Sequence, residues 1–213
     1  EVCFHTDAVQ QIGKRKLGLA ETNINLLSIA AHKFYGPKGV GALFIKKGVT
    51  LNPIIFGGGQ ESGYRPGTES VALIAGMTEA LKIAMLNLNS NEEHIRKMEK
   101  EFFSKINQTS INYRVNGGSR LHGFLNITFH DIEGQTLLMN LDMFGFAISF
   151  GSACSSGSNK PSNALLEIGM NETDAKKSVR ISIGKFIQTE NINLLVNAIN
   201  KIITNHLKKD FNG

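Results

Sequence analysis

The sequence predicts an α/β fold with two groups of strands separated by helices. Residues 26–31 and 40–45 are short apolar runs bounded by turn residues, which is typical of strands in a buried sheet. From residue 69 to residue 88, apolar side chains recur at helical spacing. Strand-like patterns return at residues 124–129, so a second sheet is expected after the helical passage.

The first part of the chain is predicted to alternate short strands with turns. Residues 2–4 favour a short buried strand, and residues 8–13 favour a turn of helix that ends at Gly13. Residues 57–67 contain five glycines and Pro66, so they are expected to form a loop rather than an element. A glycine-rich loop of this length is more often functional than a plain connection.

The second part is predicted to contain a further set of helices and strands. After a turn at residues 87–91, we expect helices at residues 92–106, 133–144 and 192–203, and strands at residues 113–115, 124–129, 146–150 and 178–183. The last of these strands alternates polar and apolar residues, as a half-exposed strand does. The long helical passage predicts a boundary near residues 90 to 105, which gives a first domain of residues 1–95 and a second of residues 96–213.

Composition narrows the class of protein. The 213 residues carry a net charge of +5 from scattered lysines and arginines, which is typical of a solvated surface and indicates no nucleic-acid partner. The two cysteines, Cys3 and Cys154, have no metal-binding spacing and no disulfide pattern, so a reducing cytoplasm is expected. No apolar run has the length of a membrane span. Because the chain opens on Glu1 almost directly at a strand, we expect it to be part of a longer protein.

Lys33 and Asp7 are the first candidates for chemistry. Lys33 follows a predicted strand directly, at the carboxyl end where open α/β sheets place their reactive groups. Asp7 lies about one strand and one helix earlier and also follows a short apolar run. A lysine in this position can form a Schiff base, and an aspartate beside it can pair with the protonated nitrogen of a pyridoxal phosphate ring.

Five motifs in order give these residues a context. They are Asp7-x-x-Gln10, His32-Lys33-x-x-Gly36-Pro37-Lys38-Gly39, the run from Gly57-Gly58-Gly59-Gln60-Glu61 to Arg65-x-Gly67-Thr68-Glu69, Gly151-Ser152-Ala153-Cys154-Ser155-Ser156-Gly157, and Val179-Arg180-Ile181-Ser182-Ile183-Gly184. Together they resemble the cysteine desulfurase family, the pyridoxal-phosphate enzymes of aminotransferase class V. The resemblance covers all 213 residues but only the carboxyl-terminal half, or slightly more, of such an enzyme. It implies the end of a large fold-type I transferase domain followed by a small α/β domain.

The resemblance also implies a role for each motif residue. Lys33 holds the cofactor covalently and then serves as the base for the substrate Cα proton. Asp7 contacts the ring nitrogen of the cofactor, Gln10 its phenolic oxygen and His32 its phosphate. Thr68 contacts the phosphate of the cofactor in the opposite subunit, so the resemblance also implies a homodimer. Arg180 clamps the substrate carboxylate.

Two positions either differ from the family pattern or allow a second role. Family members commonly place Ser or Thr where this chain has Ala30, which removes one expected phosphate contact. Ser28 cannot replace it simply, because two residues along a strand correspond to about 6 to 7 Å. Thr68 has an alternative role, since Thr68-Glu69-Ser70 stands directly before a predicted helix and can supply its N-cap.

Cys154 is the predicted sulfur acceptor. It lies in a small, polar run from residue 151 to residue 159, where a structural cysteine would gain little apolar packing. By resemblance, the thiolate takes sulfur from L-cysteine, releases L-alanine and passes the persulfide to an iron–sulfur scaffold or a thiolation acceptor. No intrinsic metal is implied, although Cys154 is a candidate transient iron–sulfur ligand shared with a scaffold. Cys3, in an apolar run, is expected to lie in the core.

Two alternatives to a cysteine desulfurase stay open at this point. One is a selenocysteine lyase on the same fold, because a fold does not determine its chemistry. The other is a non-catalytic interaction fragment, because the residues that the family carries upstream of Glu1 are absent from this sequence. For that reason the chain alone is expected to be inactive.

Overall fold

The computed structural model describes residues 2–151 and 161–210. The chain divides into two compact units, Glu1–Asn91 and Glu92–Gly213. The assignment of the first unit to a cofactor-binding domain and of the second to a small domain stays a prediction.

The first unit is built on a three-stranded sheet in the order β1-β2-β3. Its strands are β1 (His5–Asp7), β2 (Leu26–Ala30) and β3 (Gly41–Ile45). β1 runs parallel to β2, with Asp7 opposite Ser28, and β3 runs antiparallel, with Gly41 opposite Ala30. The carboxyl ends of β1 and β2 therefore lie at the same edge of the sheet.

Short helices and one long helix complete the first unit. Three 3-10 helices occupy Leu19–Glu21, Ala31–Phe34 and Gln60–Gly63, and α1 occupies Val71–Leu86. Ala31, Phe34 and Ala84 form a small buried cluster, which packs the turn after β2 against α1.

Two predictions for this unit are wrong in detail. The first strand is His5–Asp7 rather than residues 2–4, and Val2 and Phe4 lie before it and are exposed. Residues 8–13 form successive hydrogen-bonded turns instead of a helix, whereas Gly13, with a φ of 74°, ends this stretch as predicted. A left-handed residue at that point is incompatible with a continuing helix.

The second unit contains a four-stranded antiparallel sheet in the order β4-β5-β7-β6. Its strands are β4 (Tyr113–Val115), β5 (Phe124–Phe129), β6 (Ser149–Phe150) and β7 (Ser178–Ser182). Its helices are α2 (Leu88–Ile106), α3 (Gly134–Met143), α4 (Asn163–Glu167), α5 (Glu172–Lys176) and α6 (Thr189–Asp210). The predicted turn between the helices is present but shorter than residues 87–91, because α1 ends at Leu86 and α2 already begins at Leu88.

The two faces of this second sheet differ in polarity. Leu125, Ile127 and Val179 point into one apolar core with residues of α2, α3 and α6. The other face carries polar side chains, but it is not simply half-exposed as predicted. Thr128 and Ser178 are buried and hydrogen-bonded to each other at 2.8 Å, and Asn116 donates to both. Pairing of these groups compensates for the cost of their burial.

Candidate active site

Asp7 and Lys33 come to the same edge of the first sheet. β1 ends at Asp7, opposite Ser28 of the parallel strand β2. β2 continues to Ala30, and the chain turns at once into the 3-10 helix Ala31–Phe34 that carries Lys33. The parallel pairing is the reason why a carboxylate and an amine that are distant in sequence share one edge.

The carboxylate of Asp7 is held by the turn that follows it. Its Oδ1 accepts a hydrogen bond of 2.9 Å from the backbone N–H of Val9, while the N–H of Ala8 donates to the carbonyl oxygen of Ser28. This is the local bond by which aspartate fixes a turn. The side chain is exposed, so the carboxylate keeps further acceptor capacity for a ligand.

The turn after β2 separates buried from accessible side chains. Ala31 and Phe34 are buried, whereas His32 is exposed and Lys33 is half-buried. Tyr35 ends the turn in a left-handed conformation with a φ of 67°, and the N–H of Gly36 closes it on the carbonyl oxygen of Ala31. Within residues 2–151 and 161–210, the ammonium group of Lys33 has no hydrogen-bond or ion-pair partner, so its amine is available to a ligand.

Lys14 is a residue of this site that sequence reasoning missed. Its Nζ donates 3.1 Å to the carbonyl oxygen of Lys33 and makes a longer contact of 3.5 Å with Oε1 of Gln10. Burial, and then the nearby charge of Lys33, lower the pKa of Lys14. Because Gln10 turns its oxygen to Lys14, its amide N–H groups are left as donors. No sequence pattern marks Lys14, because its partner, the carbonyl of Lys33, lies 19 residues further along the chain.

Ser28, the possible substitute for the hydroxyl missing at Ala30, is already engaged. Its Oγ lies 2.9 Å from Nε2 of His5. The expectation that Ser28 does not supply the missing phosphate contact therefore has a second reason besides distance along the strand.

Thr68 lies on the glycine-rich loop. This loop contains the 3-10 helix Gln60–Gly63, and Oε1 of Gln60 accepts 3.1 Å from the N–H of Gly67. Thr68 is exposed, and α1 begins only at Val71 with Ser70 at its N-cap position. The alternative that Thr68 caps this helix is therefore wrong.

Arg180 lies in the second unit, in the middle of β7. Its Nη2 donates 3.1 Å to Oγ of Ser149 on β6, and its Nε is buried with no hydrogen-bond partner in the described part of the chain. Ser149 lies directly opposite Arg180 in the strand register. Sequence reasoning missed Ser149, because a serine in a two-residue strand has no periodicity that marks it.

Only one of the two cysteines, Cys3, lies among the described residues. Cys154 and the rest of its predicted loop, residues 152–159, lie outside the described residues. Cys3 is an exposed free cysteine, so the prediction that it belongs to the core is wrong. It precedes the edge strand β1 rather than lying in a buried strand.

The first unit thus brings together Asp7, Gln10, His32 and Lys33, whereas Arg180 belongs to the second unit. A carboxylate acceptor, amide donors and an amine that has no partner among the described residues form a set of groups that fits pyridoxal phosphate. In the part of the chain that the structure describes, no group of three His, Cys, Asp or Glu side chains could hold a metal ion. Among those residues, no single helix is long and apolar enough to cross a membrane, and only α1 and α2 together, across a sharp bend, reach that length and composition.

A known protein family matches most of this chain. The model of the aminotransferase class-V family matches residues 1–195. The chain belongs to the aminotransferase class-V family. Enzymes of this family use pyridoxal phosphate, and the resemblance to cysteine desulfurases that the motifs indicate is confirmed by the relatives that match.

Relatives of this class-V chain carry desulfurase names. It is 43% identical over 206 residues to "Cysteine desulfurase IscS" of Clostridium botulinum, covering 95% of this chain and 52% of the relative. Other matching relatives are named as mitosomal or mitochondrial cysteine desulfurases. The chain spans about half the length of the curated relatives it matches.

Solved structures give the same result for the class-V fold. A "NifS-like protein" superposes with a TM-score of 0.86 at 32% identity, covering 96% of this chain and 53% of that one. A structure described as "SspA in complex with cysteine" superposes with a TM-score of 0.69 at 34% identity, covering 88% and 52%. The predicted α/β fold of a pyridoxal-phosphate-dependent transferase is thereby confirmed.

Proposed function

We propose that the protein carrying this chain is a pyridoxal-phosphate-dependent cysteine desulfurase. The observation that supports the proposal most directly is the shared sheet edge of Asp7 and Lys33, where the amine has no partner among the described residues. The names of relatives at about 40% identity support the choice of L-cysteine as substrate.

Each residue has a defined task in this proposal. Bound pyridoxal phosphate supplies an electron sink for negative charge at the substrate Cα. Asp7 keeps a proton on the ring nitrogen, and the amide of Gln10 donates to the phenolic oxygen. His32 contacts the phosphate, and Thr68 contacts the phosphate bound by a second subunit. Lys33 first anchors the cofactor and then, as a free amine, accepts the Cα proton.

Sulfur transfer belongs to Cys154. Its thiolate attacks the thiol sulfur of the bound cysteine, so an S–S bond forms while the C–S bond breaks. The electron pair of the broken bond stays with the amino acid, which takes up a proton and leaves as L-alanine. Arg180 binds the substrate carboxylate through parallel N–H groups. The persulfide passes to an iron–sulfur scaffold or another sulfur acceptor, and the protein works as a cytoplasmic homodimer.

Labelled cysteine tests the reaction. After incubation of the protein that contains this chain with ³⁵S-cysteine, label is expected on the peptide with Cys154 and not on the peptide with Cys3. The variant Cys154→Ser retains the cofactor but forms no labelled peptide, because a hydroxyl is a far weaker nucleophile towards sulfur. Cys3→Ser, which changes the exposed cysteine, is the matched control and retains the label. Sulfide production that is undiminished in Cys154→Ser would favour a lyase instead.

A further inference from the structure

Arg180 donates a hydrogen bond to a residue of a neighbouring strand to which no role has been assigned. β7 is flanked by β5 and β6, and Arg180 lies opposite Asn126 on one side and Ser149 on the other. On the β6 side, the guanidinium Nη2 donates 3.1 Å to the hydroxyl of Ser149. The guanidinium is a planar fork, so one bond to a fixed strand restricts the direction in which the rest of the fork points.

The remaining donors of Arg180 are not all used. Nε is buried and has no hydrogen-bond partner among residues 2–151 and 161–210, although an unpaired buried N–H is costly. Nη2 has two N–H groups, and Ser149 needs only one of them. In a guanidinium, Nε–H and one Nη2–H point the same way, so a bond from the other Nη2–H to Ser149 leaves a pair of donors that suits the two oxygens of a carboxylate.

We infer that Ser149 is a positioning residue that orients the Arg180 guanidinium for the substrate carboxylate. The inference rests on the proposed function, in which Arg180 binds that carboxylate. A serine hydroxyl suits the task because it accepts a hydrogen bond without neutralising the arginine, as a carboxylate would. Because Ser149 lies directly opposite Arg180 in the antiparallel pairing of β6 and β7, the paired strands hold the two side chains next to each other.

The inference predicts an effect that depends on the carboxylate of the ligand. With Ser149→Ala, the guanidinium loses its acceptor, so binding of L-alanine, followed by the absorbance of the bound cofactor, is expected to weaken about tenfold. The KM for L-cysteine is expected to rise by a similar factor while kcat changes less than about twofold. Binding of cysteamine, which has the amine and the thiol but no carboxylate, stays unchanged. Ser149→Thr keeps the hydroxyl and restores the affinity for L-alanine.

The experiment uses the cofactor-loaded protein. Arg180→Ala is the reference for loss of the carboxylate contact. If Ser149→Ala does not fold, Ser149→Cys takes its place. If Arg180→Ala weakens L-alanine and Ser149→Ala does not, Ser149 has no positioning role, while the proposed function stands. If Ser149→Ala weakens cysteamine as much as L-alanine, its role is structural and the inference is wrong. If Arg180→Ala leaves L-alanine binding unchanged, the carboxylate assignment itself fails, and the inference fails with it.

Discussion

Asp7 combines an exposed carboxylate with a fixed orientation. Its Oδ1 is bound to the N–H of Val9, which an asparagine side-chain oxygen can also accept. Asp7→Asn is therefore expected to keep the fold, but it loses the charge that holds a proton on the ring nitrogen. We expect at least about a tenfold loss of turnover, since a hydrogen bond to a charged group contributes roughly 1.5 to 3 kcal/mol.

Turnover of purified Asp7→Asn with L-cysteine, measured as alanine released, checks this expectation. Glu21→Gln is the matched control, because Glu21 is an exposed acid of the same unit outside the site. Wild-type turnover in Asp7→Asn would remove Asp7 from the cofactor site.

Lys14 gives a prediction about pH. Burial and the charge of Lys33 lower its pKa below the ordinary 10.5, so the folded chain releases this proton at a lower pH than the unfolded chain does. Below both pKa values the desolvated charge opposes folding. As pH rises through the folded pKa towards 10.5, the unfolded state binds more protons, and the free energy of unfolding increases.

Lys14→Met is expected to remove this increase. Urea unfolding at a series of pH values up to 10.5 should show the wild type gaining stability relative to Lys14→Met as pH rises through this window. Lys16→Met, at an exposed lysine two residues away, should follow the wild type. A constant difference between wild type and Lys14→Met at every pH would contradict the lowered pKa.

At this scale the sequence reveals some residues and hides others. Asp7 and Lys33 stand next to apolar runs, and that position alone marks them as strand-end groups. Lys14 and Ser149 gain their meaning from partners, the carbonyl of Lys33 and the guanidinium of Arg180, that only the folded chain brings near. Cys3 shows the opposite case, because an apolar neighbourhood in sequence did not bring burial.

Among the elements, the β2–β3 pair depends on a close backbone approach. A Cβ added to Gly41 would lie 2.5 Å from the carbonyl oxygen of Ile29, and this contact involves the backbone rather than a flexible side chain. Gly41→Ala is therefore expected to push the strands apart and to destabilise the fold by about 1 to 3 kcal/mol. Because Ala31 N–H bonds to the carbonyl of Val40, the turn with Lys33 should be displaced too.

Urea midpoints and cofactor affinity of Gly41→Ala measure the two effects. A Cβ at Gly118, by comparison, would have no heavy atom within 4 Å, and Gly118 lies outside the motifs, so Gly118→Ala is the matched control. Equal stability of the two variants would show that the approach of Gly41 to Ile29 is relaxed in solution.

The α2 helix contains a buried carboxylate that no pattern indicated. Glu99 is 6% exposed and accepts hydrogen bonds from Arg120, from the N–H of Gly123 at 2.9 Å and from His122 at 3.3 Å. Glu99→Gln keeps the shape but loses the charge opposite Arg120. It is expected to destabilise the fold by roughly 1.5 to 3 kcal/mol in urea unfolding, against no measurable change for the exposed Glu93→Gln.

Strands with a visible alternation were predicted well, whereas short helices were not. β4 and β5 have the predicted bounds, since alternation along them matches one buried face. α4 and α5, with five residues each, are too short for a helical period to be visible. The start of α2 at Leu88 was missed because an asparagine-rich segment favours a turn locally, whereas here it continues as helix.

For the whole molecule, the order of the motifs is more informative about family and fold than the periodicity of apolar residues. The family and the type of fold follow from five motifs in sequence, and the match over residues 1–195 bears them out. The division into Glu1–Asn91 and Glu92–Gly213 places Lys33 and Arg180 on separate units. Local sequence patterns do not predict how such units are arranged, because the arrangement depends on contacts between residues far apart in sequence.

The whole proposal depends on Lys33 as the residue that holds pyridoxal phosphate. Reduction of the cofactor-loaded protein with borohydride, followed by peptide mapping, locates the modified lysine directly. We expect the modification on Lys33 in the wild type and in Lys47→Ala, an exposed lysine of the same unit, and none in Lys33→Ala. A cofactor adduct on any other lysine, or one that persists in Lys33→Ala, would contradict the assignment of this sheet edge as the active site.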